Sequence, residues 1–185
     1  MKHKHAKRDK HGHDRKKHAK HSRHARDSKH ADKHHHDRRD EGAAERAPDH
    51  RDAELVLRLY DLRREPVMRA SRLAIVKFLP RSYDDVAALL KPDHPDNAAW
   101  RQVSSYFEMA YSFARHGIVP ADFLAENAGE GLLLFAKIAP HLEQLRAETA
   151  PTALRNAEWL VEHSEYAAKR VELFKARIAK QLASS

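Results

Sequence analysis

The sequence predicts an all-α protein: a helical bundle of about six to seven helices with a long C-terminal helix, preceded by a disordered N-terminal tail. From residue 50 onward, apolar residues recur at steps of three and four, the spacing that places them on one side of a helix. No segment shows the apolar–polar alternation or the β-branched enrichment that is typical of strands. The first 40 residues contain no Leu, Ile, Val, Phe, Trp or Tyr, and therefore offer nothing to a core.

These differences in composition divide the chain into two parts. Residues 1–49 are predicted to be a disordered Lys/Arg/His-rich tail with a short linker, and residues 50–185 an all-helical domain. A folded part of this length buries roughly two thirds of its unfolded surface, which is enough for an independent core.

Seven helices are expected in this domain, and prolines punctuate them. Their approximate bounds are 52–64, 66–79, 82–90, 96–116, 120–126, 132–148 and 151–182. On the first helix, Leu55, Leu59 and Leu62 share one apolar stripe, and Pro66 suits the first turn of the second. Ser82 with Asp85 has the spacing of a capping box that opens the third.

The remaining helices follow from periodicity and from helix-ending residues. The fourth has Trp100, Val103, Phe107, Ala110 and Ala114 on one face. Gly117 stands where a left-handed C-cap is expected, Gly129 and Gly131 are expected to interrupt the chain before the sixth helix, and Pro140 to kink that helix. Thr149 and Pro151 are predicted to begin the last helix.

The tail holds all of the net charge of the chain. Met1 to Asp40 has 15 Lys or Arg against 6 Asp, a formal charge of +9 with histidine neutral. Glu41 to Ser185 has 20 basic against 21 acidic residues, or −1. A polyanion is therefore expected to meet the tail before it meets the domain.

Our leading hypothesis is a non-enzymatic binding protein whose helical domain is tethered by the tail to nucleic acid, polyphosphate or an anionic membrane surface. Without aromatic residues for base stacking, the tail is not expected to read a nucleotide sequence. The candidate polyanion-binding residues are Lys2, Lys4, Lys7, Arg8, Lys10, Arg15, Lys16, Lys17, Lys20, Arg23, Arg26, Lys29, Lys33, Arg38 and Arg39. The alternative is a tail that serves only solubility.

A second hypothesis is that the tail binds or stores a divalent metal. The first 40 residues hold 11 His, and imidazole and carboxylate groups are the ligands that Zn, Ni and Cu prefer. The candidate ligands are His30, His34, His35, His36 and Asp37. No metal or other cofactor is expected under the leading hypothesis.

The sequence offers no sign of secretion, membrane insertion or catalysis. The longest strongly apolar runs are far shorter than the roughly 20 residues of a membrane helix, and no apolar run follows the basic start, so we expect a cytoplasmic protein. The chain has no cysteine, no glycine-rich phosphate loop and no paired-carboxylate motif. In the domain, Glu108 and Arg146 are expected to form an ion pair between helices. Apolar length beyond Tyr166 suggests self-association through the C-terminal helix.

Several short segments of the domain resemble a bacterial family of small all-helical domains of unknown function. They are Tyr106-Phe107-Glu108, Gly117-Ile118-Val119, Pro140, Arg146 and Asn156-Ala157-Glu158-Trp159-Leu160, within about Trp100 to Tyr166. The resemblance implies a helical domain and no particular activity. Members of that family often carry an N-terminal apolar helix in the place where this chain has its basic tail.

Overall fold

The computed structural model describes residues 46–184, and it confirms the all-α class. These residues form nine α-helices and one 3₁₀ turn, without a strand among them. The helices are α1 (His50–Arg64), α2 (Pro66–Lys77), α3 (Tyr83–Leu89), α4 (Asn97–Arg115), α5 (Ala121–Asn127), α6 (Gly129–Ile138), α7 (Leu142–Glu148), α8 (Arg155–His163) and α9 (Glu165–Ala183); the 3₁₀ turn, Ala139–His141, joins α6 to α7. Residues 1–45 of the predicted disordered tail and linker lie outside the described range, and its last four residues, 46–49, lie within it and lead into α1.

Helix α4 lies at the centre of the bundle. It packs against α2 and α8, while α6 packs against α9. All five residues of its predicted stripe are buried, and Tyr111 is fully buried beside them. Asp96 and His116 cap the helix, and Gly117 follows with φ 67°, the left-handed backbone that was expected there.

The helix ends near α1 and α3 agree with the sequence in part. Asp85 accepts the backbone N–H of Ser82 at 3.1 Å, so the predicted capping box is present. Leu62 departs from its predicted stripe, because it is 54% exposed while Leu59 is buried. The neighbouring Arg63 turns inward in its place, with 13% of its side chain exposed.

The chain is interrupted after α5 at Ala128, and Gly129 and Gly131 belong to the first turn of α6. The helix begins at Gly129, three residues earlier than predicted. A Cβ atom on Gly131 would stand 2.2 Å from Tyr111 Oη and 2.6 Å from Phe107. The glycine is therefore a point of close approach between α6 and α4. Pro140, which was expected to kink one continuous helix, falls in a 3₁₀ turn that divides that helix into α6 and α7.

The predicted last helix is divided into two helices. Residues 151–154 form a turn, so the predicted start at Thr149 and Pro151 is wrong, and α8 begins at Arg155. A second break falls at Ser164, whose backbone is extended and whose Oγ accepts the N–H of Ala167 at 3.0 Å. The same hydroxyl donates to Asp122 of α5, which fixes the corner between α8 and α9.

Candidate functional site

All of the residues that the sequence assigns to polyanion or metal binding lie between Lys2 and Arg39, outside the described residues. Those assignments stay predictions. The described part of the chain instead shows how the domain begins, how α1 and α2 are attached to it, and which surfaces they leave exposed. We therefore describe the candidate site from Arg46, the first described residue, toward α2 and then toward α8.

Arg46 attaches the segment before α1 to the domain. Its guanidinium donates to the two carboxylate oxygens of Asp52 at 2.6 and 2.7 Å, and to the carbonyl of Ile118 at 2.9 Å. Asp52 lies in the first turn of α1 and is 3% exposed, and Ile118 follows α4. The hydrogen bonds from Arg46 lower the pKa of Asp52 to about 2.

Helix α1 has few buried residues, and polar groups add to its attachment to the bundle. Tyr106 on α4 donates its hydroxyl to the carbonyl of Leu59 at 2.6 Å, and Arg63 donates to the carbonyl of Asn127 at 3.0 Å. Burial raises the pKa of Tyr106 to about 12, so the phenol remains a donor at neutral pH. These bonds hold the second half of α1 over α4 and the end of α5.

A three-residue charge cluster ties α1 and α2 to α6. Arg72 on α2 grips Glu130 with two parallel hydrogen bonds of 2.5 Å, and Arg63 on α1 contacts the same carboxylate at 3.1 Å. Burial by itself would raise the pKa of Glu130, but the hydrogen bonds and charges of the two arginines outweigh it and lower that pKa. The cluster carries one net positive charge, and its geometry is that of a structural brace.

Lys137 holds the other end of α2. The residue is 5% exposed, and its ammonium donates to the carbonyls of Ile75, Val76 and Phe78 at 3.1, 2.6 and 2.7 Å. The last carbonyls of a helix have no partner within the helix, so this lysine satisfies the end of α2. Burial lowers its pKa to about 8. A lone lysine inside the apolar run of α6 is the sequence signal that would have found it.

The outer side of α2 is apolar and basic. Val67, Leu73 and Val76 are 60%, 57% and 45% exposed, whereas Met68 and Ile75 face the core. The helix contains Arg69, Arg72 and Lys77 and has no acidic residue. We call the exposed residues Arg69, Leu73, Val76 and Lys77, which lie within about one third of the helix circumference, the α2 face.

Glu108 caps α8 and does not form the ion pair with Arg146 that the sequence predicts. Its two carboxylate oxygens accept the backbone N–H groups of Ala157 and Asn156 at 2.9 and 3.0 Å. Arg146 instead pairs with Glu158 at 2.8 Å. The start of α8 lacks a capping side chain of its own, so a carboxylate from α4 satisfies its free N–H groups and its positive dipole.

A cavity of about 220 Å³ lies beside this cap, between α4, α7 and the turn before α8. Buried Trp100, Leu145 and Leu154 line its inner part, and exposed Ser105 and Thr152 lie at its rim. Pockets for drug-sized ligands typically measure about 300 to 1,000 Å³. Since both oxygens of Glu108 are engaged by the helix, we assign no chemistry to this cavity.

Within residues 46–184, the polar groups described above serve to fix helices in place. No three His, Asp or Glu side chains in this range lie close enough together to hold a metal ion. In the same range, none of the helices combines the length and the apolar character needed to cross a bilayer.

Comparison with known proteins places most of the folded part in one family. The family model described as "Domain of unknown function (DUF4760)" matches residues 48–164, from the cap of α1 to the corner before α9. The match extends farther toward the N-terminus than the segments from which the resemblance was inferred. Neither the curated proteins nor the solved structures gave a match.

Proposed function

Because the chain belongs to the DUF4760 family, whose description assigns no activity, we propose its function from its own charges and contacts. We propose that it is a non-enzymatic binding protein in which the basic N-terminal segment tethers the helical domain to a polyanion without sequence specificity.

The observation that carries this proposal is the uneven division of charge. The first 40 residues have a formal charge of +9, whereas residues 46–184 hold 20 basic and 19 acidic residues, a formal charge of +1. A segment of this charge neutralises phosphates and releases their counterions, and this effect supplies most of the affinity in non-specific binding. The folded domain has no comparable excess of charge.

The contacts of the domain support a binding role over a catalytic one. Arg63 and Arg72 are both paired with Glu130, Glu108 caps α8, and Lys137 is bound to the end of α2. These charged groups are therefore occupied in holding helices, and a catalytic acid or base must be able to reach a substrate.

The test compares the full-length protein with a full-length variant in which the 15 Lys and Arg residues of positions 1–40 are Gln. We expect the wild type to bind duplex DNA, polyphosphate and vesicles containing phosphatidylserine. For about 6 to 10 phosphate contacts, its affinity for DNA should fall about 10³- to 10⁵-fold between 50 and 200 mM salt. The variant should lose this binding while keeping the helical circular dichroism of the domain. Equal binding by the two proteins would leave the tail a role in solubility only.

Metal binding by the tail is the second candidate function, and pH separates it from the first. The observation that favours it is the set of 11 His in the first 40 residues, including His34, His35 and His36 beside Asp37. Imidazole ordinarily titrates near pH 6.5, so acidification from about 7.5 to 5.5 adds positive charge and strengthens binding to a polyanion. Binding of Zn or Ni needs neutral imidazole and weakens over the same range. Titration calorimetry with each ligand at the two pH values measures these opposite slopes.

A further inference from the structure

Exposed apolar side chains are concentrated on the first two helices of the domain. Among residues 46–184, ten large apolar residues are exposed, and six of them lie within 20 residues of sequence in α1 and α2. These six are Leu57, Tyr60, Leu62, Val67, Leu73 and Val76. Concentrated exposure of this kind marks a surface that binds something, whereas scattered single residues do not.

The two helices differ in the charges that surround these side chains. On α1, Leu57 lies among Glu54, Arg58 and Asp61, which are also exposed, so its surroundings have both signs of charge. On α2 the exposed charges are Arg69 and Lys77, and acidic residues are absent from the helix. The exposed Glu65 precedes the helix and caps it by accepting the N–H of Met68. The α2 face itself combines aliphatic side chains with positive charge.

Helix α2 is also firmly seated on its inner side. Met68 and Ile75 are buried, Arg72 is bound to Glu130, and Lys137 closes the C-terminal end of the helix. The exposure of Leu73 and Val76 therefore does not come from a loosely attached helix. The α2 face is a fixed platform, which lets it meet a partner without first paying to become ordered.

Among polyanions, an anionic bilayer best fits this combination of residues. The cationic side chains of the face suit nucleic acid, polyphosphate and acidic lipids equally. Its aliphatic side chains suit only the bilayer, because phosphate backbones offer no apolar medium, whereas the boundary between headgroups and acyl chains does. The positive charge of residues 1–40 adds an attraction of the same sign toward an acidic membrane surface.

We propose that the α2 face docks on the surface of an anionic lipid bilayer, with Leu73 and Val76 entering the headgroup–acyl boundary. Arg69 and Lys77 meet the lipid phosphates and acidic headgroups. This proposal rests on the proposed function, because it names the bilayer as the polyanion that the basic segment reaches.

The test uses the full-length chain in sedimentation with vesicles of phosphatidylcholine, with and without phosphatidylserine. The test variant is Leu73→Gln with Val76→Gln, and the matched control is Leu173→Gln on α9, where the leucine is 64% exposed. Burying the exposed parts of Leu73 and Val76 corresponds to at least about a tenfold gain in affinity. We expect the double variant to bind acidic vesicles about tenfold more weakly or worse, and the control to bind them as the wild type does.

A parallel titration with duplex DNA separates this proposal from the one on which it rests. The double variant should bind DNA as the wild type does, since its charge is unchanged. If the double variant binds vesicles as the wild type does, and DNA binding is salt-sensitive, the α2 face is not the docking surface. The proposed tethering by the basic segment then still stands. Failure of the wild type to bind either anion overturns the tether itself. Light scattering compares the oligomeric state of the two proteins. A dimeric wild type and a monomeric double variant would overturn the bilayer as occupant and assign the face to a second copy of the chain.

Discussion

Helices α1 and α6 are attached to the same bundle by opposite means. Seven of the ten residues of α6 are buried, and Gly131 brings its backbone into contact with Phe107 and Tyr111 of α4. Only Asp52 and Leu59 are buried among the 15 residues of α1. Leu55 and Val56 pack against the core beside Leu59, and the helix is further held by side chains that donate to backbone carbonyls and by ion pairs at its two ends.

This difference indicates which helices unfold locally most readily. Close packing of apolar groups is lost all at once, because a core tolerates little change of volume. Each hydrogen bond of α1 contributes only about 1 kcal/mol net, since water replaces it on opening. We therefore infer that α1 opens locally at lower free energy than α6. Helix α2 contacts both of them, and we infer that its free energy of opening lies between theirs.

The largest expected effect on stability comes from adding a Cβ atom at Gly131. Gly131→Ala puts a Cβ atom 2.2 Å from Tyr111 Oη, and the helices must separate or Tyr111 must lose its bond to the carbonyl of Ala128. We expect a loss of about 3 kcal/mol in the free energy of unfolding, measured by urea denaturation. Gly129→Ala is the control, because a Cβ there meets nothing within 4 Å. Equal stability of the two variants would show that α4 and α6 are not packed this closely.

The second effect concerns Lys137 and follows from its lowered pKa. Between pH 8 and 10.5 the folded state has released this proton while the unfolded chain keeps it, so the free energy of unfolding rises with pH. The rise is at most about 3 kcal/mol, because each unit of pKa difference corresponds to about 1.4 kcal/mol. Lys137→Met should remove the rise, and denaturation curves at pH 7, 8.5 and 10 measure it.

The control for Lys137 is the exposed lysine on the same platform. Lys77→Met removes a cation at the end of α2 that does not enter the core, so its stability should follow the wild type through the same pH range. If the free energy of unfolding rises with pH in both variants, another group causes the rise. The assignment of a lowered pKa to Lys137 at the end of α2 would then be wrong.

A smaller and more local effect is expected at Tyr106. Tyr106→Phe removes the hydrogen bond to the carbonyl of Leu59 and costs about 1 kcal/mol. Hydrogen exchange should show faster exchange of amides in α1 and unchanged exchange in α6. Tyr166→Phe, at an exposed position of α9, is the control. Equal acceleration in both helices would mean that α1 and α6 open together, which would remove the contrast between them.

The smallest effect is expected at Asp52, through acid pH. Its folded pKa of about 2 lies below its ordinary value of 3.8, so the stability contributed by the Arg46 contact is present above about pH 4 and is lost as the pH falls toward 2. Asp52→Asn should lower the melting temperature at neutral pH by a few degrees and flatten its fall between pH 4 and 2. Asp93→Asn, in the exposed loop before α4, should change neither quantity.

Much of the fold can be predicted from the sequence because helix patterns and end signals are local. The stripe of α4, the glycine after it and an irregularity at Pro140 follow from residue types a few positions apart. The division at Ser164 could not be predicted in this way. Leu160, Ser164, Ala167 and Val171 continue one stripe at steps of four, three and four, so periodicity passes through the break without interruption.

The contacts that attach α1, α2 and α8 could not be predicted from the sequence for a related reason. Arg72 and Glu130 are 58 residues apart, and Glu108 reaches N–H groups 48 and 49 residues away. A charged residue on a helix has the same local pattern whether it meets water or a distant partner. The choice of Glu158 over Glu108 as the partner of Arg146 depends on where α8 begins, and a turn with Leu154 in a left-handed conformation decides that position.

The sequence by itself determined the helical class, the place of most helix ends and the concentration of net charge in the first 40 residues, because composition and periodicity are properties of the chain alone. Only the tertiary structure decided which charges are consumed in holding helices and which apolar side chains stay outside. Burial depends on the neighbours that a fold brings together, so the α2 face becomes visible only when Met68 and Ile75 are seen to face the core and Leu73 and Val76 to remain exposed.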